Sequence, residues 1–238
     1  MTREEPARKV RVSYFSDVLC VWAYVGEIRV RELQKNRGEH LEMIYRFIQV
    51  FGHVHDKIER IWGGKGGAEA FRDRMLKLNR QFPHVEIHPE IWTRNVPTSS
   101  APAHTFIKAV ELACSSGDWP GGGHERFEGR TCVEEAAWRV RLAFWRDLRD
   151  VSRQEVLLSI AADMELPTAA IRARLEDGSA AAELCLDQSR KELHGIEGSP
   201  TYVLNKGRQK LYGNVGYGII EANVDELLKD SSRRQSWC

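Results

Sequence analysis

The stretch YFSDVLCVWAYVGE, residues 14–27, carries a lone cysteine, Cys20, where a run rich in β-branched and aromatic residues gives way to the pattern of a helix. A thiol in the first turn of a helix meets unpaired N–H groups and the positive end of the helix dipole, and both favour the thiolate. Lowering a thiol from about 8.5 to about 6 takes roughly 3.4 kcal/mol of preference for the charged form, more than an exposed dipole supplies, so direct N–H bonds must contribute. The position therefore predicts an activated thiol that alkylates faster than the others at pH 6 to 7. Its alternative is a small buried hydrophobe between Leu19 and Val21. Three residues on, where a dithiol site has its second cysteine, stands Ala23. A single thiolate can still attack a disulfide and form a mixed disulfide, but release then needs an external thiol or another cysteine of the chain.

The other sulfur atoms, Cys114, Cys132, Cys185 and Cys238, are widely spaced and bring the count to an odd five, which suits reduced thiols and no disulfide framework. Cys132 and Cys185 fall in helical patterns with apolar neighbours and are expected to be buried. Cys238 ends a polar tail, and nine extended residues reach at most about 30 Å, enough to bring it to Cys20. The second stretch of interest is GIEGSPTYVLN, residues 195–205, where Pro200 precedes a buried strand and follows Gly198 and Ser199, a setting for a cis X-Pro turn. His53 and His55 have HxH spacing without a neighbouring carboxylate or thiol constellation, so no metal is expected. GNVGYG, residues 213–218, lacks the order of a phosphate loop and reads as a turn.

Around these residues the pattern places strands at 10–15 and 41–50, with a helix at 22–36 between them, its stripe formed by Val21, Val25, Ile28 and Leu33 and its end set by Gly38. Such a strand-helix-strand unit implies a parallel pair. From about 53 to 194 the pattern is helical: Val133, Ala136, Val140 and Phe144 mark one amphipathic face, Val156, Ile160 and Met164 another. TSSAPAHTFIKAVELA begins with hydroxyl caps and an early proline, and two further helices end at Gly178 and Gly195. GGKGG at 63–67 and GDWPGGGHERFEGR at 117–130 read as exposed linkers. TYVLN and QKLYG form a hairpin, and Ile220, Val224, Leu227 and Leu228 line a final helix. Trp62, Trp92, Trp119, Trp138 and Trp145 predict an aromatic core for the helical region.

With 238 residues the chain can bury a full core. Its 35 basic and 34 acidic side chains leave a net charge of +1, so no field draws it to nucleic acid or an anionic membrane. The charged start, MTREEPARKV, and the lack of a long apolar run lead to the expectation of a cytoplasmic protein without a membrane span.

Strand, SDVLCVWAY at a helix start, strand, long helical insertion, GIEGSPTYVLN, hairpin and terminal helix together resemble the DsbA-like branch of the thioredoxin superfamily over nearly the whole chain. The resemblance is to FrnE-type proteins, with hydroxychromene-carboxylate isomerases and kappa-class glutathione transferases as cousins. It implies an α/β thioredoxin fold over residues 8–52 and 196–229, a helical insertion over 53–195 and a flexible tail over 230–238. It makes Cys20 the attacking cysteine, Pro200 the cis-proline facing it, and Trp22, Ala23, Ser199 and His104 the residues lining the cleft, with Asp17 standing where relatives have an acidic group. Val21 and Ala23 depart from the family's Cys-Pro-Trp-Cys motif. Gly213, Asn214, Val215 and Gly216 stand where the isomerase and transferase branches carry a charged glutathione-binding segment. The implied function is thiol-disulfide exchange by Cys20 alone, with glutathione as the thiol that completes the cycle and no tightly bound cofactor. Its partners would be a small thiol or disulfide or a protein mixed disulfide, and a homodimer is left open. A glutathione-dependent isomerase or transferase of small aromatic substrates, and a binding protein that has lost the reaction, are the alternatives.

Overall fold

The run after Lys9 forms β1, Val10–Ser16, whose side chains alternate between two apolar faces. Val10, Val12 and Tyr14 enter the main core, while Phe15 joins a smaller cluster with Ile48, Ile196 and Val203. The structure is a computed structural model that describes residues 9–118 and 125–229. After β1 the chain turns into α1, Val21–Arg37, and returns as β2, Leu41–Phe47, parallel to β1 with Tyr14 opposite Tyr45. Late in the sequence β3, Thr201–Leu204, pairs antiparallel with β1, and β4, Gln209–Tyr212, pairs antiparallel with β3. The sheet order is β2-β1-β3-β4, so the strand that delivers Cys20 and the strand that follows Pro200 are the two central neighbours. The hairpin turns through Asn205, Lys206 and Gly207, all at positive φ. A last helix, α9, Tyr217–Leu228, buries Ile220, Val224 and Leu227 and packs against α1.

Between the two halves of the sheet lie seven helices among the described residues: α2 (Val54–Trp62), α3 (Gly67–Asn79), α4 (Ala101–Ala113), α5 (Cys132–Trp145), α6 (Gln154–Asp163), α7 (Thr168–Glu176) and α8 (Ser179–Leu193). The last five were legible from their apolar faces and caps. Residues 54–79 were not, because α2 and α3 bury only Val54, Ile58, Met75 and Leu78 among many charges. GGKGG, expected as a linker, is shorter than that: Gly66, at φ 102°, joins a short 3-10 turn directly to α3. His53, read as a loop residue, caps α2 by accepting the Asp56 N–H at 3.2 Å. In α1 the stripe differs from expectation at one position: Ile28 is 49% exposed, and Tyr24 and Val30 are buried instead. β2 stops at Phe47, short of Val50.

Two expectations about sulfur are corrected. Cys114, which follows α4, is joined to Cys132, which opens α5, so these are not two reduced thiols. They are 18 apart in sequence, and only the meeting of the two helix ends brings them together. Cys185 is exposed, because the buried face of α8 runs through Ala180, Leu184 and Asp187 and the cysteine lies one step off it. Cys238 and residues 119–124 of the 117–130 linker, Trp119 included, lie outside the described residues. Trp92 and Trp145 are fully buried at the centre of the aromatic cluster, with ring centroids 5.7 Å apart. No helix among the described residues is long and apolar enough to cross a membrane.

The helical insertion is fastened to the edge of the sheet by buried charge. Lys108 of α4 and Asp187 of α8 are both fully buried and lie 2.9 Å apart. The Asp187 carboxylate also accepts from Arg46 at 2.9 Å and from the Phe47 N–H at 3.0 Å, and Lys108 reaches Glu111 at 2.8 Å. A buried pair of this kind is costly to break on one side, because the remaining charge keeps its desolvation penalty without its partner. Replacing Asp187 with Ala is therefore expected to lower the unfolding free energy by about 3 to 5 kcal/mol, read by urea titration at pH 7.

Candidate active site

Cys20 is the residue before α1, with extended backbone (φ −84°, ψ 118°), and the first-turn amides of Ala23 and Tyr24 donate to its carbonyl at 3.1 and 3.0 Å. Its side chain turns inward. Sγ donates to the Ser199 carbonyl at 3.1 Å, across a separation of 179 residues, and the next peptide bond, Ser199-Pro200, is cis. The turn that presents this carbonyl is itself braced: Thr201 Oγ1 donates to the Gly198 carbonyl at 2.8 Å, and the Gly213 N–H donates to the Pro200 carbonyl at 2.9 Å. A Cβ at Gly198 would stand 2.6 Å from the Tyr212 hydroxyl, so the exposed Tyr212 ring would have to move aside for a side chain there.

Asp17 holds the remaining parts. Its N–H donates to Ser199 Oγ at 2.9 Å, which ties the end of β1 to the proline turn. Its carboxylate is fully buried and accepts from the Leu19 N–H at 2.8 Å, the Phe51 N–H at 2.8 Å and Ser100 Oγ at 2.9 Å. Ser100, expected as a side-chain cap of α4, thus spends its hydroxyl on Asp17. His104, one turn into α4 and fully buried, places Nε2 3.2 Å from the Val18 N–H and 3.5 Å from Asp17 Oδ1. A neutral ring accepts from Val18 there, and a protonated ring donates to the carboxylate. Burial alone would push the Asp17 carboxyl up, but the adjacent His104 and the amides of Leu19 and Phe51 outweigh it and hold the group below its ordinary value. From α5, Trp145 Nε1 donates to the Val18 carbonyl at 3.2 Å and closes the floor of the loop.

The electrostatics of Cys20 run opposite to the expectation drawn from its helix-start position. Burial pushes the thiol above its ordinary value, the Ser199 side chain and the amides of Ala23 and Trp22 pull it back only in part, and the Asp17 charge adds to the rise. With 7% of its surface exposed, the sulfur loses more solvation as a thiolate than the helix N-terminus returns.

The structure thus brings Cys20 onto the Ser199 carbonyl beside the cis bond to Pro200 and links His104 to them through Asp17 and Val18. Trp22 is half-buried, with its ring edge-on to Phe82 at a centroid distance of 6.2 Å. Ala23 is fully buried in the core. Sequence reasoning missed Lys57 on α2. Its ammonium lies 4.8 Å above the Phe51 ring, within electrostatic reach of both Asp17 and Cys20, and burial pushes its pKa down. No motif marks it, and α2 itself was unread. Among the described residues no group of three or more His, Cys, Asp or Glu is placed to hold a metal ion.

No protein-family model matches this chain, and no curated protein matches it. Solved structures do. A protein from Nitrosomonas europaea, provisionally titled a protein disulfide isomerase, superposes with a TM-score of 0.70 at 14% identity, covering 93% of this chain and 98% of that one. The cytosolic disulfide reductase DsbM from Pseudomonas aeruginosa gives 0.61 at 17% identity over 92% and 95% of the two chains. A 2-hydroxychromene-2-carboxylate isomerase gives 0.58 at 14% identity over 91% and 95%. The chain has the α/β thioredoxin fold with a large helical insertion that these DsbA-like proteins share.

Two outcomes are expected. The rate of Cys20 alkylation by iodoacetamide, followed by peptide mapping, should rise with pH to a midpoint above the ordinary thiol value of 9.0, and Cys20 should react more slowly than exposed Cys185 at pH 7. The Asp17 carboxyl is depressed on folding, so its contribution to stability is present above the ordinary value of 3.8 and lost as pH falls through the folded value. Unfolding free energy measured from pH 7 to pH 2 should fall steeply below about pH 4, and Asp17→Asn should flatten that part of the curve.

Proposed function

We propose that the chain is a thiol-disulfide oxidoreductase that works by monothiol chemistry at Cys20, with glutathione as the external thiol that completes the cycle. The observation that carries this reading is the 3.1 Å approach of Cys20 Sγ to the Ser199 carbonyl beside the cis Ser199-Pro200 bond, at the start of α1. An extended segment that carries a disulfide could take the Ser199 backbone groups as those of an added strand. Cys20, as thiolate, would attack one sulfur of the incoming disulfide, forming the Cys20–S–S–R bond and releasing the other half as a thiol. A glutathione thiolate would then attack the R sulfur, freeing Cys20 and leaving R as a mixed disulfide with glutathione.

Ala23 supplies no sulfur to resolve the intermediate, and Cys114 and Cys132 are engaged with each other. The external thiol is glutathione, which a reducing compartment such as the cytoplasm provides at high concentration. That the DsbM fold has been solved with GSH is in keeping with a glutathione partner. The isomerase or transferase reading has less support, because residues 213–216 offer no charged side chain and Asn214 is taken by Arg29.

The test restores the missing sulfur. Cys20 and position 23 are three apart at the helix start, where Cβ atoms stand roughly 5 to 6 Å from each other. Ala23→Cys is expected to form a reversible disulfide with Cys20 under mild oxidant, seen by mass spectrometry, and to reduce insulin with a dithiol reductant alone. The parent should act only when glutathione is supplied, since an adjacent thiol resolves the intermediate at high effective concentration and an external one must collide. Parent activity that is independent of glutathione, or that survives Cys20→Ser, would overturn the proposal.

A further inference from the structure

We infer that Cys114 and Cys132 form a second redox site, a dithiol-disulfide couple that exchanges with small disulfides independently of Cys20 and fastens the far end of α4. The couple is chemically complete without the monothiol site: the two thiols and glutathione disulfide give the Cys114–Cys132 bond and two molecules of glutathione, both thiol protons passing to the departing sulfurs. Failure of the monothiol reading leaves this inference standing, because it concerns different sulfur atoms.

Two observations carry it. The first is placement. Cys114 caps the C-terminal end of α4, and Cys132 is the first residue of α5, whose start is fixed by Thr131: its side chain accepts the Glu134 N–H at 3.3 Å, while the Glu134 carboxylate accepts the Thr131 N–H at 2.7 Å. Cys132 therefore sits in a helix first turn, where a departing thiolate is stabilised, and the two acidic neighbours are already engaged, Glu134 by the cap and Glu135 by Arg130 and Arg139. The second is access. Both cysteines are buried, 4% and 2% exposed, yet both line a surface groove of about 250 Å³ beside Met43, Ile44 and Tyr45 of the edge strand β2, wide enough for a small thiol to approach the sulfurs.

The couple cannot serve as the resolving partner of Cys20. His104, which contacts the loop before Cys20, lies ten residues before Cys114 on the same helix axis, a rise of roughly 15 Å. What the bond does is tie down the helix that carries both His104 and Lys108, closing a loop of 18 residues in the unfolded chain.

The experiment equilibrates the full chain with glutathione buffers of rising oxidised fraction, traps free thiols by acid quench and alkylation, and maps peptides. The expected result is a Cys114–Cys132 linked peptide that appears and disappears reversibly with the buffer, with Cys185 and Cys20 outside the linkage, and the same transition in Cys20→Ser. Melting temperature should rise by about 5 °C or more from the reduced to the oxidised form, and that difference should vanish in Cys114→Ser and in Cys132→Ala. If both thiols stay free at every buffer ratio, if each takes up glutathione without linking, or if the bond persists in excess reduced glutathione, the couple does not exist as inferred.

Discussion

A buried carboxylate with no solvent contact is tolerated only when donors surround it, and Asp17 collects them from three distant parts of the chain. Leu19 lies in its own turn, Phe51 follows β2, and Ser100 and His104 belong to the start of α4. Each donor lost would leave part of a fully desolvated charge unpaired, at roughly 1 to 3 kcal/mol or more apiece. The arrangement therefore fixes the end of β1, the loop after β2 and the first turn of α4 relative to one another. Because the Asp17 N–H also holds Ser199 Oγ, the proline turn is drawn into the same frame. The position of the Cys20 sulfur follows from these constraints.

The helical insertion is part of this frame and not an appendage to the sheet. Arg141 of α5, fully buried, reaches Glu27 of α1 at 3.3 Å and Ser16 of β1 at 3.1 Å, while Trp145 from the same helix holds the Val18 carbonyl. Tyr24 of α1 stacks on Trp145 with ring planes 7° apart. At the other edge Lys108 and Asp187 join α4 and α8 to β2. Apolar burial supplies the driving force for packing these helices on the sheet, and the sparse paired charges fix which register they adopt.

The sequence made the strands and the last five insertion helices legible because their apolar positions repeat with the right period, as in Val140 and Phe144 of α5 or the alternation along β1. It also carried Cys20 and the Ser199-Pro200 turn, since a lone cysteine between strand and helix and a proline before a buried strand are local signals. Helices α2 and α3 were hidden because their buried face is only two residues wide in each. The direction of the Cys20 shift was misjudged because helix position is local and burial is not: tertiary packing covers the sulfur, with the Ser199 turn 179 positions away among its neighbours. Lys57, the Cys114–Cys132 pairing and the engagement of Ser100 with Asp17 share that origin, each being a product of tertiary contact with no trace in neighbouring residues.

The contact between Cys20 and Ser199 has one more consequence. The sulfur is covered by a turn from the far end of the chain, so in the native state it is sheltered only while the terminal hairpin is docked against β1. Any excursion that lifts β3 and β4 away without unfolding the helices exposes a thiol that recovers ordinary acidity. The cysteine is thus a built-in clock for local opening: its labelling rate in the native protein measures how often the C-terminal half of the sheet detaches, a motion that spectroscopic signals dominated by the helices and the buried tryptophans do not see.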